Sequence, residues 1–324
     1  TSTPNSDEDQ FAMIWKEANK RFDEYGNDKI VGTNGFYAMK AHWSEHPDRD
    51  ETWAETERSR IGEERFRREH ECEFLIFDET LISSIVLADM EGIPPVETTG
   101  QVRWFKRPTP GHTYMVSLDP SMGTGGDYAA IQVFELPTFE QIGEWHHNQT
   151  PMNQQVRILQ GINKHIYDTI IEQDSSATPQ IFYSMENNTI GEAALMRVMD
   201  IGEENIQGMF LSEPIRKGHR RKFRRGFNTT AKHKIDACTK FKELVENDKM
   251  KINSQLLISE MKDFVASGLS YKAKPGQHDD LVSACLLMTR MMKVLADFDP
   301  KIFEKWTDRT SEITPMPIFG SFTG

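Results

Sequence analysis

His112-Thr113-Tyr114-Met115-Val116-Ser117-Leu118-Asp119 reads as a strand that ends in a carboxylate, and what surrounds it sets the fold class. A glycine-rich turn follows, with Gly123, Gly125 and Gly126. Residues 128–136 and 140–147 are two further strand-like runs, with Thr138-Phe139 in a hairpin turn between them. Residues 152–171 then place Val156, Ile158, Leu159, Ile162 and Ile166 at helical spacing. Residues 180–186 form another strand, again ending in an acid, Glu186. A helix is expected at 191–199, a basic loop at 216–225, a helix at 232–247, an edge strand at 250–252, and helices at 256–266 and 279–295. Three strands paired by hairpins, then alternating helices and strands, give an α/β chain: a mixed sheet with helices on both faces.

Upstream the character differs. Residues 9–25 space Phe11, Ile14, Trp15, Ala18 and Phe22 as an amphipathic helix. The aromatic stretch 36–43 reads as a strand, 51–60 and 63–70 as charged helices, and 73–77 as a short strand. Trp15, Trp43 and Trp53 are expected in the core of this segment. Residues 80–110, with Pro94, Pro95, Gly100, Pro108 and Pro110, read as a connection.

Composition removes several function classes. The 324 residues are 37% hydrophobic, enough for a core. Cys72, Cys238 and Cys285 lie far apart, so neither a disulfide framework nor a structural zinc site is expected, and Cys285 reads as core. No apolar run reaches the ~18 residues of a membrane span, so no membrane partner is expected. The net charge of −12 argues against a globally basic nucleic-acid coat but leaves room for a local patch. No GxxxxGK[ST] stretch exists, so no ATPase activity is expected of the chain alone.

The acids carry the chemistry. Asp119 and Glu186 end strands, and Asp279-Asp280 opens the last long helix. Strand ends and a helix start can converge at one edge of an α/β sheet. Carboxylate oxygens suit Mg²⁺ or Mn²⁺, and two such ions ~3.5–4 Å apart can activate water and stabilise the leaving oxygen of a phosphodiester. Gly276-Gln277-His278-Asp279-Asp280-Leu281-Val282-Ser283-Ala284 is the sharpest clue. Acids in a first helical turn gain from the helix dipole whatever their function, but that does not explain a second acid and a histidine beside it. Asn187 and Asn188 are placed to orient a ligand or phosphate. His146-His147 reads as a surface pair at a strand end.

At this point the chain resembles the large terminase subunit of tailed bacteriophages. The matching motifs are Val116-Ser117-Leu118-Asp119 through Gly126-Asp127-Tyr128, Tyr183-Ser184-Met185-Glu186-Asn187, Gly226-Phe227-Asn228-Thr229-Thr230 with Lys232 and Lys234, and Gly276 through Leu281. They cover most of residues 105–295. The resemblance implies an RNase H-like mixed sheet flanked by helices, preceded by a partial ATPase-domain segment. Thr1-Ser2-Thr3-Pro4-Asn5 looks like the coupling motif near the end of the ATPase domain. The implied division is residues 1–82 as the end of the packaging ATPase, 83–105 as linker, 106–297 as nuclease and 298–324 as tail.

The resemblance further implies a metal-dependent endonuclease that cuts concatemeric DNA when packaging starts and ends, holding two Mg²⁺ or Mn²⁺ ions. Asp119, Glu186 and Asp280 are the implied ligands, with Asp279 as their partner and His278 orienting a phosphate or water. Seven of the ten residues from Arg216 to Arg225 are basic: Arg216, Lys217, Arg220, Arg221, Lys222, Arg224 and Arg225. With Lys232 and Lys234 they are candidate DNA phosphate contacts, which fix position without reading sequence. The implied partners are double-stranded DNA, the portal protein, the small terminase subunit and an amino-terminal ATPase half, in the cytoplasm of an infected bacterium. The alternatives are a non-catalytic module that grips DNA and docks on the portal, or another RNase H-like nuclease such as a junction resolvase.

Overall fold

The computed structural model describes residues 10–21, 29–73, 80–188, 190–214, 225–268 and 270–298. The chain divides into two units, residues 1–91 with 261–275, and residues 92–260 with 276–324.

The first unit contains α1 (Gln10–Asn19), a 3-10 turn at Trp43–Glu45, α2 (Glu51–Ile61), α3 (Glu63–Glu69) and α4 (Ser84–Asp89). Trp43, Ala54 and Phe66 form a small core, with Trp53 and Ile61 packed on it. Asp50 caps α2 by accepting from the Trp53 amide at 2.8 Å. The expected strand at 36–43 is absent. Phe36 and Tyr37 are 59% and 61% exposed, so this aromatic segment presents its rings to solvent instead of alternating them into a core. Residues 22–25 of the first expected helix and 74–77 of the expected short strand lie outside the described residues.

The second unit is built on a seven-stranded sheet. Its strands are β1 (Glu97–Thr99), β2 (Val102–Trp104), β3 (Thr113–Asp119), β4 (Ala129–Leu136), β5 (Glu140–His147), β6 (Gln180–Met185) and β7 (Met209–Phe210). Their order is β1-β2-β5-β4-β3-β6-β7. The expected hairpins are present: β3, β4 and β5 pair antiparallel in sequence, and β6 joins β3 in parallel. The expected featureless connection at 80–110 instead holds α4 and the β1–β2 ribbon, whose Arg103 and Trp104 pair with Glu144 and Gly143 of β5. Residues 250–252 make a brief edge pairing, with the Lys251 amide donating to the Phe139 carbonyl and the Gln141 amide to that of Lys251.

Helices cover both faces. α5 (Met152–Gln173) and α6 (Gly191–Ile201) close one core, where Val156, Leu159, Ile162 and Ile166 meet Tyr114, Val116 and Leu118 of β3. The alternate residue Ser117 points the other way and donates to the Ala284 carbonyl at 2.8 Å. That carbonyl belongs to α9 (Asp280–Phe298), which follows α7 (Ala231–Glu246) and α8 (Gln255–Asp263). A strand buried on both sides therefore ends at Asp119, with a helix layer on either hand. The helix expected at 256–266 stops at Asp263. Residues 264–267 turn into β8 (Phe264–Ser267), which pairs with β9 (Ser270–Ala273) as a hairpin of the first unit. The Leu81 amide donates to the Phe264 carbonyl at 3.0 Å, so pairing with a segment distant in sequence overrides helical spacing there. Among the described residues, no helix is long and apolar enough to cross a membrane.

Candidate metal centre

Backbone pairing brings the two strand-end acids together. Leu118 and Met185 are register partners in the parallel pair β3–β6, and the Glu186 amide donates to the Leu118 carbonyl at 3.1 Å. The next residue along β3 is Asp119, so the two carboxyls emerge side by side and share a hydrogen bond. Burial holds the Asp119 pKa well above the usual carboxylate range, and the charges of Glu186, Asp280 and Asp279 push it further in the same direction.

The end of β6 is clamped. Asn188 donates through Nδ2 to Glu186 Oε2 at 3.3 Å, while its Oδ1 accepts from the Ile190 and Gly191 amides at 3.0 and 2.8 Å. One side chain thus caps α6 and orients Glu186. A Cβ on Gly191 would lie 1.9 Å from the Glu186 carbonyl oxygen, so only glycine lets α6 begin this close. Asn187 is buried and donates to the Arg225 carbonyl at 2.7 Å. Both asparagines thus hold the end of β6 in place. Phe227 zips onto the same strand end, its carbonyl accepting from the Asn187 amide at 2.7 Å.

The turn after Asp119 is equally fixed. Gln155 donates to the Ser121 and Thr150 carbonyls at 2.9 and 2.7 Å. Gly123 has φ +67°, and a Cβ there would meet the Thr150 carbonyl at 2.2 Å. Its glycine is needed for that backbone crossing.

α9 supplies the remaining acids. The Asp279 carbonyl accepts from the Ser283 amide at 2.8 Å, which makes Asp279 the residue that opens the helix. Its carboxylate lies 3.7 Å from Lys234 Nζ. Asp280 Oδ2 accepts from the Tyr128 amide at 3.3 Å and stands 3.7 Å from His278 Nδ1. Burial raises the Asp280 pKa to about 6 against the pull of the Tyr128 amide, and the Asp279 charge adds to the rise.

Behind these acids stands Glu260 of α8, which sequence reading missed. Its Oε2 accepts from both the Leu281 and Val282 amides, at 2.8 and 3.1 Å. Burial pushes its pKa up to about 9. His146, expected at the surface, is tucked in: its ring stacks on Tyr128 at 4.0 Å and 14°, and burial lowers its pKa to about 4. Tyr128 also takes His278 against its ring, edge to face at 4.8 Å. Beside Glu186 opens a cleft of about 150 Å³, lined in part by Thr229, His233, Lys234, Ser283 and Arg290. Arg290 is tied to Glu213 and donates to the Asn228 carbonyl at 3.0 Å.

The basic candidates divide. Lys234 reaches the acids, and Lys232 is exposed on α7. Arg225 is paired with Glu203 at 2.5 Å and lies over the Phe210 ring. Arg216, Lys217, Arg220, Arg221, Lys222 and Arg224 lie outside the described residues.

Asp119, Glu186, Asp279 and Asp280 form an all-oxygen set whose mutual repulsion is met by few cations, a donor set that fits a hard divalent ion. As the side chains stand, no three His, Cys, Asp or Glu among the described residues enclose one ion-sized point. Asp119 is turned to Glu186, and Asp280 to the Tyr128 amide.

Comparison with known proteins gives the family. The model of the Terminase RNaseH-like domain matches residues 116–291. Among solved structures, the large terminase nuclease of thermophilic phage G20c with bound magnesium is 17% identical, with 66% of this chain and 97% of that chain covered at a TM-score of 0.48. The nuclease domain of the Thermus phage P74-26 large terminase is 17% identical, covering 62% and 90% at 0.45. The terminase nuclease domain of human cytomegalovirus, soaked with Mn and inhibitor-bound, is 12% identical, covering 69% and 98% at 0.42. With three strands in hairpin succession, a parallel fourth bearing the second acid, and a family match over more than half its length, the chain belongs to the family of terminase RNaseH-like domains.

Proposed function

We propose that this chain is a metal-dependent DNA endonuclease of a phage packaging motor, cutting concatemeric genome DNA when packaging begins and ends. The observation that supports this reading is the shared hydrogen bond of Asp119 and Glu186, with Asp279 and Asp280 within electrostatic reach. A packed core does not call for four acids in that position.

In this reading Asp119, Glu186 and Asp280 hold divalent ions, Mg²⁺ or Mn²⁺, with Asp279 as a further ligand or partner. Two such ions, when bound, supply an activated water and stabilise the leaving oxygen of the phosphodiester. The protein's residues do the rest. Asn188 holds Glu186 in place, and the Tyr128 amide holds Asp280. His278, half-exposed beside Asp280, orients a phosphate or a water. Lys234, with Lys232 and the basic run from Arg216 to Arg225, contacts the DNA backbone. Residues 1–82 belong to the end of an ATPase domain, 83–105 to a linker whose β1–β2 ribbon joins the edge of the sheet, 106–297 to the nuclease and 298–324 to a tail. The portal protein, the small terminase subunit and the ATPase half are the proposed partners, in the cytoplasm of the infected host.

Supercoiled plasmid incubated with the chain and Mn²⁺ or Mg²⁺ tests this reading. Nicking that needs the ion and disappears in a folded Asp119→Ala variant is expected. Full cutting by that variant would overturn the assignment. DNA binding without cutting by the unmodified chain would favour the gripping module instead.

A further inference from the structure

Glu260 has no part in the ligand set above, yet its carboxylate sits at the centre of the support behind it. We propose that Glu260 is a positioning residue for Asp279 and Asp280, and that His146 and Tyr128 complete a closed support around those two acids. The inference rests on the metal-centre reading.

The first amides of a helix have no partner within it and need an acceptor from elsewhere. A side chain at the start of the helix is the usual source. In α9 the Asp279 carboxylate is engaged with Lys234. A single oxygen of Glu260, from a different helix, takes the Leu281 and Val282 amides together. Two bonds to one atom fix both the height and the rotation of the first turn, and hence the directions in which residues 279 and 280 project.

The other side of the support runs through rings. Glu260 Oε1 lies 3.6 Å from His146 Nε2. That nitrogen is buried and has no hydrogen-bond partner within its reach among the described residues. His146 stacks on Tyr128, whose amide holds Asp280 and whose ring meets His278. The path from Glu260 through α9 to Asp280, Tyr128 and His146 returns to Glu260.

Helix capping alone does not call for this arrangement. A serine or asparagine at the helix start would satisfy the same amides without burying an acid beside two others. The Glu260 side chain is only 11% exposed. Burying it is reasonable where the position of the neighbouring acids matters more than local stability. Partners behind the ligands of a metal typically change its affinity ~10–100-fold when removed.

The test uses the full chain. Free Mn²⁺ is counted by electron paramagnetic resonance in titrations of the unmodified chain, Glu260→Ala, Glu260→Gln and His146→Phe. Plasmid nicking is followed over the same ion range. Glu260→Ala should weaken Mn²⁺ binding ~10-fold or more and raise the ion concentration for half-maximal nicking in parallel. Its rate at saturating ion should stay near that of the unmodified chain. Glu260→Gln keeps a carbonyl oxygen for both amides and should bind within about threefold of the unmodified chain. His146→Phe keeps the stack on Tyr128 and loses the nitrogen facing Glu260, so it should weaken binding severalfold.

Unchanged Mn²⁺ binding in Glu260→Ala overturns the proposal. So does Glu260→Gln losing as much as Glu260→Ala, because the charge itself would then be the ligand. If Glu260→Ala fails to fold, unchanged binding in His146→Phe overturns it. An unmodified chain that binds Mn²⁺ in this pattern but never nicks DNA leaves the support intact and removes the nuclease reading. An unmodified chain that binds no Mn²⁺ removes both.

Discussion

Asp119 and Glu186 share a hydrogen bond because the parallel register of β3 and β6 leaves them side by side, one residue beyond the Leu118–Met185 pair. Two carboxyls this close repel each other once ionised, and burial together with that repulsion holds the Asp119 pKa above the usual carboxylate range in the absence of a cation. The geometry thus stores a repulsion that an added cation can relieve.

Asp119→Asn removes a carboxyl that can ionise beside Glu186 and keeps a donor for it. The metal-free variant should be more stable by about 1 kcal/mol, which raises Tm by about 2–4 °C for a unit of this size. Mn²⁺ should add stability to the unmodified chain and little to the variant. Thermal melts in chelator and in Mn²⁺ measure both. A lower Tm for the variant in chelator would count against the repulsion.

The strands that end in acids were legible because β3, β4, β5 and β6 each carry their own local pattern, and the tight hairpin at Thr138-Phe139 fixes their succession. The support behind the acids was not. Glu260 meets Leu281 across 21 positions of sequence, with a hairpin folded in between, and no spacing rule links them. His146 looked like a surface residue because its partner, the Tyr128 ring, comes from the start of the neighbouring strand. The aromatic stretch at 36–43 misled in the opposite sense: it has strand-forming residues and no partner strand among those described. At 264–267, pairing with β9 decided against helical spacing. Candidate ligands were readable from local motifs, whereas their orientation depends on tertiary contacts.

Gly191→Ala should damage the site without touching an acid. The added Cβ would fall 1.9 Å from the Glu186 carbonyl oxygen, so either α6 or the end of β6 must move. A loss of about 1–3 kcal/mol is expected, the usual cost of overpacking. Nicking should fall further than stability alone explains, because Asn188 ties Glu186 to the same helix start. Denaturant melts beside nicking rates at saturating Mn²⁺ separate the two effects. An alanine variant with normal stability and rate would show that the strand end has room to shift.

His165 gives a pH dependence away from the acids. Its ring stacks on Trp104 at 4.5 Å, and burial lowers its pKa. Arg107 opposes its charge, while Glu97, Asp168 and Glu172 favour it. Below the unfolded value of ~6.5 the unfolded chain takes up a proton that the folded chain resists. This group's contribution is therefore fully present above that pH and is lost as pH falls toward the lower folded value. Melts from pH 7.5 to 5 should show a decline in Tm that is shallower in His165→Phe. An equal decline in both proteins would assign the dependence elsewhere.

The basic run bears on DNA binding through salt dependence. Each phosphate that the protein no longer neutralises flattens the slope of log affinity against log salt by ~0.9. Alanine at Arg220, Arg221 and Arg224 together should lower the slope by up to ~2.7 if all three touch phosphate. Arg225 should behave differently, because Glu203 and the Phe210 ring already engage it. Its alanine variant should change the slope by less than the ~0.9 of a single phosphate. Binding should weaken about equally for all sequences, and low salt or excess DNA should restore part of the cutting by the triple variant. Asp119→Ala should do the reverse, retaining binding and cutting at no DNA concentration. An unchanged slope in the triple variant would make this run a solvated surface and move the DNA track toward Lys232 and Lys234 on α7, where Lys234 already stands 3.7 Å from Asp279.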